Sequence, residues 1–209
     1  MKQSTVAPHR QIHSVRIIGG QWKRTRLGVA DKPGLRPTPD RVRETLFNWL
    51  GQDLTRWRCI DAFAGSGALG FEAASRGALG VLMVEQDAGL VAQLQRTQTQ
   101  LHADTLRIVR DDGIAALKQL DAASQHAIFL DPPFDSALFE PALQAAGRAV
   151  AVDGFVYLEA PIRWRDEQLN GFGLRLHRYL KAGAVHAHLL QAINASGSGR
   201  GESQSSRTQ

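Results

Sequence analysis

The sequence predicts an α/β fold: a doubly wound, mostly parallel seven-stranded sheet with an antiparallel C-terminal hairpin, preceded by a small N-terminal β-hairpin. Three observations predict it. From Arg58 onward, short apolar runs alternate with segments of helical period, the pattern of a sheet covered by helices on both faces. Residues 174–180 and 184–190 then form two strand-like runs around Lys181-Ala182-Gly183. Upstream, residues 15–18 and 22–29 flank the turn Gly19-Gly20, which reads as a hairpin.

Taken in order, residues 1–14 have no apolar pattern and read as a disordered basic terminus, and residues 15–36 as the hairpin extension. The catalytic-type domain spans residues 37–194. Thr38-Pro39 is a helix start, with a hydroxyl N-cap and proline at the first helical position. Val42, Leu46, Trp49 and Leu50 share one apolar face, Asp40, Arg41, Arg43 and Glu44 lie on the other, and Gly51 ends the helix. Asp40/Arg43 and Arg41/Glu44 fit surface i,i+3 ion pairs. The alternation then runs strand 59–63, helix 68–75, strand 80–84, a helix through Leu90, Val91, Leu94 and Leu101, strand 106–109, helix 114–120, strand 127–130, helix 138–150 and strand 155–158. Residues 195–209 form a Ser/Gly/Arg/Gln tail that cannot build a core, and no internal repeat is present.

A chain of 209 residues suits a single globular domain, and 43% hydrophobic with 22% charged residues is ordinary globular composition. No apolar run approaches the roughly 20 residues that cross a bilayer, and the first residues lack the apolar stretch of a secretory signal. One cysteine, Cys59, excludes a disulfide framework or zinc cluster and reads as a buried small hydrophobe. A cytoplasmic, monomeric protein is expected. His186 and His188 alternate on one strand face, but two histidines without a third ligand read as a solvated face, so no metal is expected. Residues 1–43 hold ten Lys or Arg against two acids, although the whole chain carries only +5. Such an excess at one end suits a polyanion, or else a solvated tail. Arg16, Trp22, Lys23, Arg24, Arg26 and Arg36 are the candidate residues for binding such a polyanion, a nucleic acid above all.

Two loops carry the chemistry. Asp61-Ala62-Phe63-Ala64-Gly65-Ser66-Gly67 joins a strand to a helix, and its glycines let the backbone and the free helix N–H groups approach a ligand. Gly65 to Gly70 also fits the GxGxxG dinucleotide pattern with Glu85 placed 20 residues after Gly65, so this loop alone does not separate a nicotinamide cofactor from S-adenosylmethionine. Asp61 can meet an ammonium group, Glu85 can hold two ribose hydroxyls, and Asp111 or Asp112 can accept from an adenine amine. Asp112 is favoured for that contact and Asp111 as a helix cap. The candidate cofactor-binding set is Asp61, Phe63, Gly65, Gly67, Glu85 and Asp112.

The second loop, Asp131-Pro132-Pro133-Phe134, ends the fourth strand of the alternating region. A planar exocyclic amine is a poor nucleophile because its lone pair is delocalised. A carboxylate and a backbone carbonyl that accept its two N–H groups draw the nitrogen toward tetrahedral geometry. Asp131 supplies the carboxylate, Pro132 the carbonyl, the prolines remove competing donors, and Phe134 offers a stacking face for an extruded base. Asp131, Pro132 and Phe134 are therefore the candidate catalytic residues. A plain helix cap is the alternative for Asp131.

The segment Leu35-Arg36-Pro37-Thr38-Pro39-Asp40-Arg41-Val42-Arg43-Glu44-Thr45-Leu46-Phe47-Asn48, together with Arg16-Ile17-Ile18-Gly19-Gly20-Gln21-Trp22, the glycine loop and Asp131-Pro132-Pro133-Phe134, resembles the bacterial RsmD family, which methylates the N2 amine of one guanine in 16S ribosomal RNA. The resemblance covers nearly everything except the two tails. It implies a class I methyltransferase fold, S-adenosylmethionine as cofactor, and the small ribosomal subunit or its assembly intermediate as partner. It further implies that Asp61, Gly65, Gly67, Glu85 and Asp112 line the cofactor site while Asp131 and Phe134 hold the guanine. Competing readings are another amine methyltransferase acting on DNA adenine N6 or a protein glutamine, an NAD-dependent oxidoreductase, and a non-catalytic RNA-binding assembly protein.

Overall fold

The computed structural model describes residues 14–29, 38–134 and 137–193. Two antiparallel strands, β1 (Ser14–Arg16) and β2 (Arg26–Gly28), precede helix α1 (Asp40–Leu50). Five parallel strands follow: β3 (Arg58–Asp61), β4 (Gly80–Glu85), β5 (Leu106–Arg110), β6 (Gln125–Leu130) and β7 (Val150–Ala160). Between them run α2 (Ala68–Ser75), α3 (Ala88–Leu101), α4 (Gly113–Gln119) and α5 (Phe139–Ala149). A short α6 (Asp166–Leu169), a 3-10 turn (Asn170–Phe172), and the antiparallel pair β8 (Leu174–Ala182) and β9 (Val185–Ala192) complete the chain. The sheet order is β5-β4-β3-β6-β7-β9-β8. The order reverses between β3 and β6, which is where an open α/β sheet leaves a crevice at the carboxyl ends of its strands.

Strand alternation sorts the core into two layers. On one face Cys59, Met83, Phe129 and Tyr157 pack with Leu46 and Phe47 of α1 and Phe71 of α2. On the other, Ile60, Val84, Ile128, Leu130 and Leu158 pack with Leu117 of α4 and Leu143 and Ala146 of α5. Both faces are covered, so these strands are apolar throughout, as parallel strands must be. Cys59 is buried within the first layer. Among the described residues no helix is long and apolar enough to cross a membrane.

Helix α2 is buried along its whole length, wedged between the sheet and the N-terminal hairpin. Its small residues permit that: a Cβ on Gly70 would come within 2.8 Å of the Met83 side chain. The hairpin docks through its buried side chains Ile17 and Leu27 and through its backbone. The Glu72 carboxylate accepts from Ile18 N and Gly19 N, both at 2.7 Å, and the Gln21 N–H donates to Ser75 O at 2.8 Å. Gly20 has φ +71°, and a Cβ there would meet Ser75 O at 1.8 Å, so only glycine permits this approach.

Several local expectations are corrected. Thr38 does not cap α1: the N-cap position is Pro39, without a side-chain cap, and the Thr38 hydroxyl donates to Glu159 instead. Arg43 is not on the solvated face, being 0% exposed, so its 2.6 Å pair with Asp40 joins a buried guanidinium to an exposed acid. Trp22 lies in a turn, because the hairpin connection is longer than Gly19-Gly20 and β2 begins only at Arg26. The histidine strand face is solvated only in part: His186 is half-buried, but His188 is fully buried, its Nε2 accepting from Trp164 N at 3.0 Å. Burial lowers its pKa to about 4, which keeps the ring neutral inside the core. Strand β7 begins at Val150, and α6 with the 3-10 turn has no counterpart in the apolar pattern.

Candidate active site

Parallel strands place their carboxyl ends on one edge, and each central strand ends there in an acid: Asp61 on β3, Glu85 on β4, Asp131 directly after β6 and Glu159 near the end of β7. The loop after β3 is tightly built. Gly65 and Gly67 have φ +51° and +80°, the left-handed region that glycine adopts without strain. A Cβ on Gly67 would stand 2.6 Å from Leu94 Cδ2 and 2.7 Å from Phe71 Cδ2, so the turn is pressed onto α2 and α3. Across the crevice, a Cβ on Gly113 at the start of α4 would stand 2.1 Å from Ala62 O and 3.3 Å from the Phe63 ring. Phe63 thus sits where the β3 loop meets α4.

Asp61 is buried, and its Oδ2 accepts from the Gly70 N–H at 2.9 Å, one of the free amides in the first turn of α2. Burial pushes its pKa up to about 7, and the charge of Glu85 adds to this while the Gly70 amide opposes it. A buried carboxylate so disposed gains from a cation placed beside it. Glu85 is half-buried and accepts from Gly65 N at 2.9 Å and Asp87 N at 2.8 Å, one amide per oxygen. Each oxygen keeps a second lone pair for a hydroxyl donor. Asp112, rather than Asp111, caps α4: its Oδ1 accepts from Ala115 N at 2.8 Å and its Oδ2 from Gln86 Nε2 at 2.6 Å. Asp111 is exposed and accepts from the Asp112 N–H. The expected division of labour between these two acids is therefore reversed as far as the cap is concerned.

Asp131 stands half-buried beside Asp61 and Glu159. Burial holds its carboxyl well above the usual range, and the negative charges of Glu159 and Asp61 push it further. Pro132 is buried, while Phe134 is 37% exposed at the rim. Arg16, Lys23, Arg24 and Arg26 are exposed. Arg16 and Arg26 pair across the hairpin, and Lys23 and Arg24 lie in the turn docked at the C-terminal end of α2. Trp22 is half-buried against the core, with its N–H on Ser75 Oγ at 3.0 Å. Arg36 lies outside the described residues.

Glu159 escaped sequence reasoning. It is 2% exposed, and its Oε1 accepts from Thr38 Oγ1 at 2.6 Å and Tyr157 OH at 2.9 Å. Arg43 lies near enough to favour its charged form. The same guanidinium donates to Thr38 O at 3.3 Å, Arg16 O at 2.9 Å and Asp40 Oδ1 at 2.6 Å, tying the hairpin, α1 and the segment before it together. The signal was present: Glu159 terminates the apolar run Phe155 to Leu158 just as Glu85 and Asp131 terminate theirs.

The arrangement fits a nucleoside-bearing cofactor with a cationic end. Glycine turns leave the backbone open, Asp61 is a buried acceptor, and Glu85 and Asp112 stand on the neighbouring strand ends. Comparison with known proteins points the same way. Residues 15–191 match a family profile described as Conserved hypothetical protein 95. Ribosomal RNA small subunit methyltransferase D of Escherichia coli K12 is 41% identical over 182 residues, covering 85% of this chain and 89% of its own length. The Haemophilus influenzae protein of the same name is 42% identical over 132 residues, 62% of this chain and 68% of its own. Among solved structures, Escherichia coli yhhF, named as a candidate methyltransferase, superposes with a TM-score of 0.74 at 38% identity, covering 86% of this chain and 98% of its own.

Proposed function

Because the chain belongs to the RsmD family of ribosomal RNA small-subunit methyltransferases, we propose that it transfers a methyl group from S-adenosylmethionine to the exocyclic N2 amine of one guanine in 16S ribosomal RNA. The observation that carries this reading is the position of Asp131, on the strand end next to the glycine cradle and Asp61. When bound, S-adenosylmethionine supplies an electrophilic sulfonium methyl. Asp61 would take the ammonium, Glu85 the ribose hydroxyls, Asp112 the adenine amine, and Gly65, Gly67 and Phe63 would shape the wall. Asp131 and the Pro132 carbonyl would accept from the N2 amine and localise its lone pair, and Phe134 would stack on the extruded base. The partner is the small subunit or an assembly intermediate, approached through the exposed cations of the hairpin.

The test is mass spectrometry of ribosomal RNA from cells lacking the protein. Loss of a single N2-methylguanine that returns on complementation is the expected result; an unchanged N2-methylguanine content, or loss of a methylated adenine instead, would refute the substrate assignment.

Two further results are expected. Glu85→Ala should weaken S-adenosylmethionine binding by about a hundredfold, since it loses two charge-assisted hydrogen bonds at roughly 1.5 kcal/mol each. Calorimetry showing unchanged affinity would discard the ribose assignment. RNA affinity should fall steeply with salt, and Lys23→Gln with Arg24→Gln should flatten the log–log slope by about one to two, at roughly 0.7 for each phosphate no longer neutralised. An unaltered slope would remove the hairpin turn from the RNA-binding surface.

A further inference from the structure

One buried acid stands outside the roles assigned so far. Strands β6 and β7 are parallel neighbours with Leu130 opposite Leu158, so Asp131 and Glu159 hold equivalent positions on adjacent strand ends. Glu159 is almost wholly buried, and its hydroxyl partners come from two different elements: Thr38 before α1 and Tyr157 on its own strand. A carboxylate placed so deep, with two O–H donors on one oxygen and a guanidinium nearby, is built to carry charge rather than to fill space. Resting on the methyltransferase reading, we propose that Glu159 is a positioning residue whose buried negative charge equips Asp131 to receive the proton that the methylated amine sheds.

The proton balance requires such a receiver. N2 gives its lone pair to the methyl carbon, the electron pair of the broken C–S bond stays on sulfur, and N2 is left with one proton too many. A carboxylate of ordinary acidity is a poor sink for it; one held above its usual range is a better one. The groups around the pair divide the charge. Burial raises Glu159, but the Thr38 and Tyr157 hydroxyls and Arg43 favour its ionised form. Asp131 faces burial, Glu159 and Asp61, all of which favour its protonated form. Asp61 is itself raised and faces Glu85 and Glu159. Both carboxyls are raised, but only Glu159 has donors and a cation that favour its ionised form, so the arrangement biases the charge toward Glu159 and the proton toward Asp131.

The test is Glu159→Gln, which removes the charge yet still offers an oxygen to Thr38 and Tyr157. The titration of the Asp131 carboxyl is followed by its 13C chemical shift, assigned with Asp131→Asn, in the full chain without RNA. Its midpoint should fall by about one pH unit or more. The acid limb of single-turnover methyl transfer to small-subunit RNA should move to lower pH with it, with S-adenosylmethionine affinity unchanged by calorimetry. An unmoved midpoint in folded Glu159→Gln, or a midpoint that rises, overturns the inference. Should that variant not fold, the Glu159 carboxyl is followed by its own 13C shift in the wild-type chain; it should ionise at lower pH than Asp131, and a Glu159 that ionises above Asp131 again overturns the inference. Failure of the wild-type protein to methylate RNA would sink the functional reading. An active wild type with an unmoved Asp131 midpoint would sink only the role of Glu159.

Discussion

Asp131→Ala is expected to lower single-turnover methyl transfer by about two to four orders of magnitude while leaving S-adenosylmethionine affinity within about threefold. As proposed, the carboxylate is the acceptor for the reacting amine, whereas the cofactor contacts assigned to Asp61, Glu85 and the glycine turn lie on other strands. Asp131→Asn keeps an acceptor oxygen but cannot take a proton, so it should fall between wild type and alanine. The same substitution carries a stability signature. Asp131 and Asp61 both have folded pKa values raised above the unfolded range, Asp61 to about 7. A carboxyl whose folded pKa is raised costs stability as pH climbs from about 4, where the unfolded group ionises, through the folded value. Asp131→Asn should therefore melt higher than wild type at pH 8 and close to it at pH 4. A calorimetric scan checks this, and equal melting temperatures at pH 8 would mean that the carboxyl does not share the buried negative edge. Substantial turnover in Asp131→Ala would remove Asp131 from the reaction altogether.

Glu72→Ala should destabilise the fold by about 3–5 kcal/mol, which for a chain of this size lowers the melting temperature by about 10 °C or more. Glu72 is fully buried and receives Ile18 N and Gly19 N at 2.7 Å, Arg76 Nε at 2.9 Å and Arg76 NH2 at 2.8 Å. Arg43, with a side chain 0% exposed, lies 3.6 Å away through NH1, a nitrogen without a hydrogen-bond partner of its own. Removing the carboxylate leaves buried Arg76 without an acid partner, takes one of two acids from Arg43, strands two backbone amides, and loosens the hairpin. Urea unfolding followed by tryptophan fluorescence measures the loss, and hydrogen exchange at Ile18 and Gly19 locates it. A loss under about 1 kcal/mol would mean that water reaches and solvates these charges. Glu72→Gln should fall between, because its amide keeps one acceptor but turns a donor toward donors.

The sheet was legible because its strands are covered on both faces and therefore read as apolar runs, and because small residues bounded α2 at Ala68 and Ser75 as expected. The strand-end acids Asp61, Glu85 and Asp131 were legible for a related reason: a carboxylate interrupting an apolar run needs an explanation. Glu159 meets the same criterion but lacks a flanking glycine turn or double proline to draw the eye. Thr38 and Arg43 were misplaced because simple local partners accounted for them, a helix cap and an i,i+3 acid. Their actual partners come from the tertiary fold, Glu159 being 121 residues from Thr38 and Glu72 lying on another helix. Local periodicity registers what a residue repeats with along the chain, and buried ion networks repeat with nothing. The reversal at Asp111-Asp112 has a similar root, since either acid could reach a helix N-terminus and only backbone direction chooses between them.

The most direct measurement is methyl transfer in vitro, with purified protein, tritiated S-adenosylmethionine and small subunits lacking the modification, followed by nucleoside chromatography. The label should appear in N2-methylguanosine with the wild-type protein and vanish with Asp131→Ala although that variant still binds the cofactor. Label in methylated adenosine, or in N2-methylguanosine at equal rates with and without the Asp131 carboxylate, would contradict the account.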